Sequence, residues 1–430
     1  MKRLIRTGCI FLGLWSLLTG ISAQVEKAPA CVPQRVLVKF RAPWLNMYAD
    51  RIAASLGARV EDALPQIGVL MLQIPPEADE KLYAEALSRH SIIQFAEPDY
   101  IVEPAQFAVP DYIVEYAQVV HPNDPEYDPP ALKGWHLARI GCPAAWFHTR
   151  GDPDIIIAHL DTGVNANHPD LVGKLVPGWN FYNNNANTDD HFGHGTRTAG
   201  TLAAATSNGV GIASVGWNCR IMPLRISNPE GGASGGVAAR ALIWAAERGA
   251  RVAVLTYGMT HFETVREAAQ YFMSRVQGVV VISAGNGGNF YPEPDNPFVI
   301  TVSAINPEEQ RAPWSTYGNG VDLCAPGEQI LTTNRGGGYS PAMGTSHSAP
   351  IVAGVAALVL SVNPALSGEQ LQQILFQSAN DLGAPGWDPE YGWGCVNAAR
   401  AVALARGMPM DSQPPSVAFE RPAANSTVTG

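Results

Sequence analysis

The apolar pattern divides the chain into two unlike stretches. Between residues 35 and 115 it switches between strand and helix periods. Arg35–Phe40 puts Val36, Val38 and Phe40 on one strand face, Val69–Ile74 reads as a short apolar strand, and Ile92–Val102 as a third. Met47–Leu56 and Pro76–His90 read as helices, the second with Leu82, Ala86 and Leu87 as its apolar positions. This stretch is a small α+β unit. From about residue 135 to 405 the apolar runs have no polar face. Ile155–His159, Arg220–Leu224, Arg251–Leu255, Val279–Ser283 and Val299–Ala304 read as strands, with helices at Gly236–Arg248 and Ser346–Val362. Strands that are apolar throughout and alternate with helices predict a parallel sheet buried on both faces, an α/β domain. Sites in such domains lie beyond the carboxyl ends of the strands. On that rule Asp161 and Asn286, each following a strand, share one rim.

The ends and joints of the chain read differently. Lys2, Arg3 and Arg6 precede an apolar run, Cys9–Leu18, and Ile21-Ser22-Ala23 is a small-residue exit. That is the pattern of a secretory signal, residues 1–23. The run is shorter than the roughly 20 residues that span a bilayer, and no later segment reads as a span. The α+β unit occupies 24–118, a turn-rich linker 119–134, the α/β domain 135–406 and a Pro-rich tail 407–430. The tail is a linker or the start of a further module. Pro98-Asp99-Tyr100-Ile101-Val102-Glu103 recurs as Pro110-Asp111-Tyr112-Ile113-Val114-Glu115. One recurrence is too few for a solenoid, so it reads as a duplicated edge strand. The net charge of -10 favours solubility and argues against a nucleic-acid or anionic-membrane surface. Past the signal, Cys31, Cys142, Cys219, Cys324 and Cys395 remain, with no zinc-type spacing. An exported protein can keep disulfides, and buried thiols serve equally well, so both readings stand.

Three short segments carry chemistry. They are His159-Leu160-Asp161-Thr162-Gly163, His194-Gly195-Thr196 and Gly344-Thr345-Ser346-His347-Ser348-Ala349-Pro350. They supply a carboxylate, an imidazole and a hydroxyl, each among small residues. A serine becomes nucleophilic when an imidazole takes its proton, and the imidazole needs a buried carboxylate to fix its tautomer. Ser346 opens a helix, whose free N–H groups favour developing negative charge. Ser283-Ala284-Gly285-Asn286-Gly287 adds a side-chain amide. An esterase-type Gly-x-Ser-x-Gly elbow is excluded, because Ser348 replaces the second glycine and the serine comes last. Gly336-Gly337-Gly338 is a turn, since no phosphate-loop lysine and helix follow it.

Taken together, these motifs resemble the subtilisin-like (subtilase) family of serine endopeptidases over roughly residues 135–405. The resemblance implies a subtilisin-like three-layer α/β fold with a mostly parallel central sheet. It makes Asp161, His194 and Ser346 a catalytic triad and Asn286 the oxyanion donor, for peptide-bond hydrolysis through an acyl-enzyme with no cofactor. Polypeptide substrates would add as a strand between Gly231-Gly232-Ala233 and Thr256-Tyr257-Gly258. Ser283, Ala284 and Gly285 would line the specificity pocket. Tyr257 stands where an aliphatic residue is common, which suggests apolar or aromatic residues before the cut. The small unit resembles the family's inhibitory propeptide. That implies a secreted, monomeric, self-processed zymogen. The duplicate at Pro110–Glu115 departs from the family's pattern and leaves the cleavage point open; the expectation is that one copy completes the propeptide sheet and the other threads toward the cleft. Asp170 and Asn208 match ligands of a structural calcium ion. A hard-cation site and an ordinary Asx turn at each place both remain open. Two departures, Arg197 where a second His is common and His347 where Met or an aromatic is usual, keep a catalytically impaired binding homologue as the alternative. Arg197 needs a partner or solvent for its charge.

Overall fold

Two apolar faces of one small sheet organise the N-terminal unit. The computed structural model describes residues 30–102, 120–129 and 133–407. Strands β1 (Ala30–Phe40), β2 (Arg59–Leu64), β3 (Val69–Gln73) and β4 (Ile93–Val102) pair antiparallel in the order β2-β3-β1-β4. Helices α1 (Ala49–Ser55) and α2 (Glu80–Ser88) cover one face. The Asp79 carboxylate caps α2 by accepting from Lys81 and Leu82 N–H. Val36, Val38, Leu70 and Leu72 pack under these helices with Ala84 and Leu87. The expected apolar face of α2 is out of phase: Leu82 is 67% exposed and Ala86 is exposed too. The other sheet face, with Leu37, Val69 and Met71, joins the core of the larger domain. The expected helix Met47–Leu56 is a 3-10 turn, Pro43–Tyr48, running into α1. Strand β2 was not anticipated, because a bulge between Val60 and Asp62 breaks its alternation.

The larger domain begins with α3 (Trp135–Arg139) and α4 (Cys142–His148). Next come β5 (Ile156–Asp161), β6 (Trp179–Asn180), α5 (His194–Ala203), β7 (Arg220–Arg225), β8 (Ala233–Ser234), α6 (Gly235–Glu247), β9 (Val252–Leu255) and α7 (Glu263–Val276). They are followed by β10 (Val279–Ser283), β11 (Phe290–Tyr291), β12 (Ile300–Ile305), β13 (Tyr317–Gly318), β14 (Leu323–Pro326), β15 (Ile330–Thr333) and β16 (Tyr339–Ala342). The last helices are α8 (Thr345–Val362), α9 (Gly368–Ser378) and α10 (Ala398–Gly407). Seven strands form the central sheet in the order β14-β12-β10-β9-β5-β7-β6, every pair parallel. Both faces are buried, as the unbroken apolar runs require. Ile157, Val252, Val254 and Val281 share a core with α8; Leu160, Leu255, Val280 and Ile282 share one with α6 and α7.

Several expectations are revised. Helix α8 is as long and apolar as a membrane span, which the sequence reading had denied to every later segment, but it is a buried core helix. The linker is not uniformly exposed. Asp124 is 3% exposed and its carboxylate accepts Ser207 and Asn208 N–H, while Glu126 N–H donates to Gly211 O. Among the described residues no disulfide forms; Cys142, Cys219, Cys324 and Cys395 are buried thiols. The signal, the second repeat copy Pro110–Glu115 and the tail from 408 lie outside the described residues.

Candidate active site

Asp161 is the last residue of β5, the strand that lies between β9 and β7 in the central sheet. Its buried carboxylate meets His194 Nδ1 at 2.8 and 3.0 Å. Thr162 N–H donates to Oδ1 at 2.6 Å, and the hydroxyls of Thr198 and Thr256 donate to Oδ2. Burial pulls this carboxyl upward, but the neighbouring imidazoles of His194 and His159 outweigh it and hold it well below the usual range. Asp161 is therefore an anion, and His194 carries its proton on Nδ1.

His194 opens α5 without a side-chain N-cap, since Gly193 precedes it. Buried Asp190 does that work. Its carboxylate accepts from Gly193 N–H at 2.7 Å, from Thr196 N–H and Oγ1 at 2.8 and 2.6 Å, and from Thr162 Oγ1 at 2.8 Å. Gly195 is required by packing, because a Cβ there would lie 2.1 Å from Gly163 O. The residues before His194 and after Asp161 are thus tied to each other through one carboxylate.

Ser346 stands in the first turn of α8, where N–H groups have no intrahelical acceptor. Asn286 Oδ1 accepts from Thr345 N–H at 2.9 Å and Thr345 Oγ1 at 3.0 Å. That fixes the amide so that Nδ2 remains available. A Cβ built on Gly344 would lie 3.0 Å from Ser346 Oγ and 3.6 Å from Asn286 Nδ2, so hydroxyl and amide border the same point. Ser346 Oγ and His194 Nε2 are both buried and neither has a hydrogen-bond partner. An unpaired imidazole nitrogen can take a proton and an unpaired hydroxyl can give one.

The segments expected to form the substrate edges have the following surroundings. Tyr257 is not an open pocket wall. It is 1% exposed, and its hydroxyl donates to Gly231 O at 2.7 Å, tying the two edges together. Burial, then Asp161, pushes this phenol well above its usual range. Thr256 turns its hydroxyl to Asp161 rather than to the cleft. Gly258 faces Gly285, whose Cα would be 3.2 Å from an added Cβ. Ala284, Gly285 and Asn286 are partly exposed, whereas Ser283 is 1% exposed. Gly231 and Gly232 are covered, and the residues that follow them, Ala233–Ser234, pair antiparallel with Val102 and Ile101 of β4. A recess of about 260 Å³ beside His194, lined in part by Arg197 and Arg335, gives the Arg197 charge its access to solvent. His347 is buried, with Nδ1 at 3.0 Å from Thr201 Oγ1, and burial followed by His194 pushes it down to about 3.

Asp170 and Asn208 do meet, but as hydrogen-bond partners. Asn208 Nδ2 donates to Asp170 Oδ1 at 3.0 Å, Asn208 Oδ1 accepts Val210 N–H, and Asp170 Oδ2 accepts Ile212 N–H. An amide nitrogen aimed at the carboxylate does not fit a shared cation. Four groups were missed by sequence reasoning: Asp190, Thr198, and Glu97 and Asp99 at the contact between the units. The nearest signal was the acidic pair inside Pro98-Asp99 and its neighbour Glu97.

Comparisons with known proteins bear on the fold and the family. Residues 152–394 match the model of the subtilase family, and residues 20–99 that of the fervidolysin N-terminal prodomain. The chain is 33% identical over 322 residues to a thermophilic serine proteinase of Bacillus sp. (strain AK1), covering 74% of this chain and 75% of that protein. It is 34% identical over 283 residues to thermitase of Thermoactinomyces vulgaris, covering 65% of this chain and 99% of thermitase. The crystal structure of fervidolysin from Fervidobacterium pennivorans, a keratinolytic enzyme related to subtilisin, superposes with a TM-score of 0.72 at 27% identity. That superposition covers 89% of this chain and 62% of fervidolysin. With the family model covering more than half the chain and the parallel sheet matching, this protein belongs to the subtilase family of serine proteases and carries a fervidolysin-like prodomain.

Proposed function

We propose that the chain is an exported serine endopeptidase, made as a zymogen, that cleaves polypeptides with Asp161, His194 and Ser346. His194 Nε2 takes the Ser346 Oγ proton as that oxygen attacks the scissile carbonyl. Asp161 holds the imidazole in the Nδ1–H tautomer and stabilises the imidazolium. Negative charge collects on the carbonyl oxygen near Asn286 Nδ2 and the first-turn N–H groups of α8. The proton passes from Nε2 to the leaving amine, leaving an acyl-enzyme, which a water activated by the same imidazole hydrolyses. The observation that carries this reading is the buried Asp161–His194 pair with His194 Nε2 and Ser346 Oγ left unpartnered.

The prodomain acts as an intramolecular inhibitor. Strand β4 already adds to β8 at the substrate edge, which is how an extended peptide would bind there. The basic and apolar start of the chain supports export. The wild-type chain should process itself and react covalently with an organophosphorus serine probe. Ser346→Ala should do neither and should accumulate at full length. Identical processing of both chains would overturn the assignment in favour of a binding homologue.

A further inference from the structure

His159 and the terminal Asp161 are the two polar residues of β5, whose other positions are apolar. His159 lies two residues before Asp161, on the same face of β5. It is 1% exposed, its Nε2 is 2.8 Å from Thr198 Oγ1, and it is 3.5 Å from Asp161 Oδ2. Thr198, one turn after His194 on α5, is 2.7 Å from the same Oδ2. A hydroxyl has a single hydrogen, and a carboxylate can only accept. Thr198 must therefore give its hydrogen to Asp161, and its oxygen must accept from His159. That places the His159 proton on Nε2. His159 Nδ1, buried and without a partner, is then the bare nitrogen. An unpaired buried nitrogen costs stability, and an aliphatic pair at 159 and 198 would avoid that cost.

We propose that His159 is a positioning residue that acts through Thr198. It is a second imidazole on the carboxylate that holds His194, and this rests on the catalytic reading above. Its role is to lock the Thr198 hydroxyl toward Asp161. Without it that hydroxyl has two other acceptors in reach, His194 O at 3.3 Å and Gly195 O at 3.2 Å. Turning there removes a donor from Oδ2. A carboxylate with fewer donors is more basic and holds the Nδ1 proton of His194 more strongly, so His194 should protonate at higher pH. The other titratable or charged groups around the pair are Asp190 before α5, Arg225 beside Asp161 on β7, Tyr257 after β9, Arg197 on α5 and His347 on α8.

Two measurements test this. The first is ¹⁵N-histidine NMR of the full chain carrying Ser346→Ala, which cannot digest itself. His159 should show a slowly exchanging Nε2–H and a bare Nδ1; an Nδ1–H tautomer overturns the proposal whatever the activity. The second is kinetics of His159→Val, Thr198→Val and the double variant. Each should lower kcat about 3- to 10-fold, the size of one hydrogen bond, with KM unchanged. The acid limb of kcat/KM should move to higher pH, and the double variant should be no worse than either single one. His159→Gln, whose amide N–H overlays Nε2, should restore the limb. Additive losses, or an unmoved acid limb in both Val variants, overturn it. A wild-type chain with no protease activity would instead sink the catalytic reading and leave the tautomer result to stand by itself.

Discussion

Glu97 sits where the prodomain meets the catalytic domain, at the start of α7. That helix has Phe262 at its N-cap and no side-chain cap of its own. The Glu97 carboxylate supplies one from the other unit, accepting Glu263 N–H at 3.0 Å, Thr264 N–H at 2.9 Å and Thr264 Oγ1 at 2.6 Å. Two residues on, buried Asp99 accepts Gly236 N–H at 3.0 Å at the start of α6. Helix N-termini favour an anion, while burial opposes one. For Glu97 burial wins, pushing the carboxyl from 4.5 up to about 7 against its three hydrogen bonds. Burial moves Asp99 the same way, against Gly236 and Arg35.

Docking is therefore coupled to proton uptake. An undocked prodomain leaves Glu97 in water with an ordinary carboxyl, so between about pH 4.5 and 7 the docked form holds a proton that the undocked form has lost. Docking is at full strength below that window, weakens through it, and levels off above it. At about 1.36 kcal/mol per pKa unit, the rise to about 7 is worth about 3 kcal/mol, a little over two orders of magnitude. The assay is hydrogen exchange of the full chain carrying Ser346→Ala, read at the amides of Glu263, Thr264 and Gly236 and corrected for intrinsic rates. Opening at those amides should rise about 100-fold from pH 5 to pH 8, following that same free energy. Glu97→Gln cannot ionise, so it should lose most of this slope and be better protected than the wild type at pH 8. Opening that is flat with pH, or that falls as pH rises, would refute the argument that burial controls the Glu97 proton.

Two further outcomes follow from the site. Asn286→Ala leaves the nucleophile and base intact and removes one donor to the developing oxyanion. It should lower kcat about 10²–10³-fold, a magnitude established on subtilisin itself, with little change in KM; steady-state kinetics on a peptide substrate would read it, and an unchanged kcat would refute the donor role. The buried imidazoles of His136 and His347, both pushed down to about 3 chiefly by burial, should make the fold sensitive to acid. Above pH 6.5 neither matters; below it the unfolded chain takes up protons that the folded chain refuses, so stability falls by about 1.4 kcal/mol per pH unit for each imidazole. In urea unfolding of the Ser346→Ala chain at pH 7.5, 5.5 and 4.5, adding His347→Met should remove one imidazole's share of that loss, and equal slopes would contradict it.

The segments carrying Asp161, His194 and Ser346 were legible because the chemistry proposed for them forces local sequence. A strand exit, a helix start beside a backbone crossing and a nucleophile in a first turn each demand small residues within a few positions. Gly195 shows why: its missing Cβ is where Gly163 O lies. The parallel sheet was legible for a similar reason, since burial on both faces leaves unbroken apolar runs. What escaped was set by partners far along the chain. Asp99 caps a helix 137 residues away and Glu97 one 167 residues away, and neither distance leaves a local trace. Asn208 carries the family's calcium-ligand pattern, yet its orientation belongs to Asp170, and its backbone is held by Asp124 of the linker. The phase of α2 was misjudged because Leu82 is an exposed leucine, and hydrophobic composition alone does not say which face meets the sheet.

The contacts also explain why a removable domain can bear on catalytic geometry. Strand β4 pairs with β8, directly after Gly231 and Gly232. Gly231 O accepts the Tyr257 hydroxyl, and the neighbouring Thr256 hydroxyl reaches Asp161. Tyr257 and Thr256 follow β9, whose Leu255 packs in the same core as α6 and α7, the helices that Asp99 and Glu97 cap. Docking thus orders one substrate edge by strand pairing and supports the helices behind the other. When the prodomain leaves, the backbone groups of β8 lose their partner strand, and an extended polypeptide can satisfy them in the same antiparallel manner. Under the proposed function, inhibition and substrate binding are two uses of one sheet edge, and the protons on Glu97 and Asp99 bias which of them prevails.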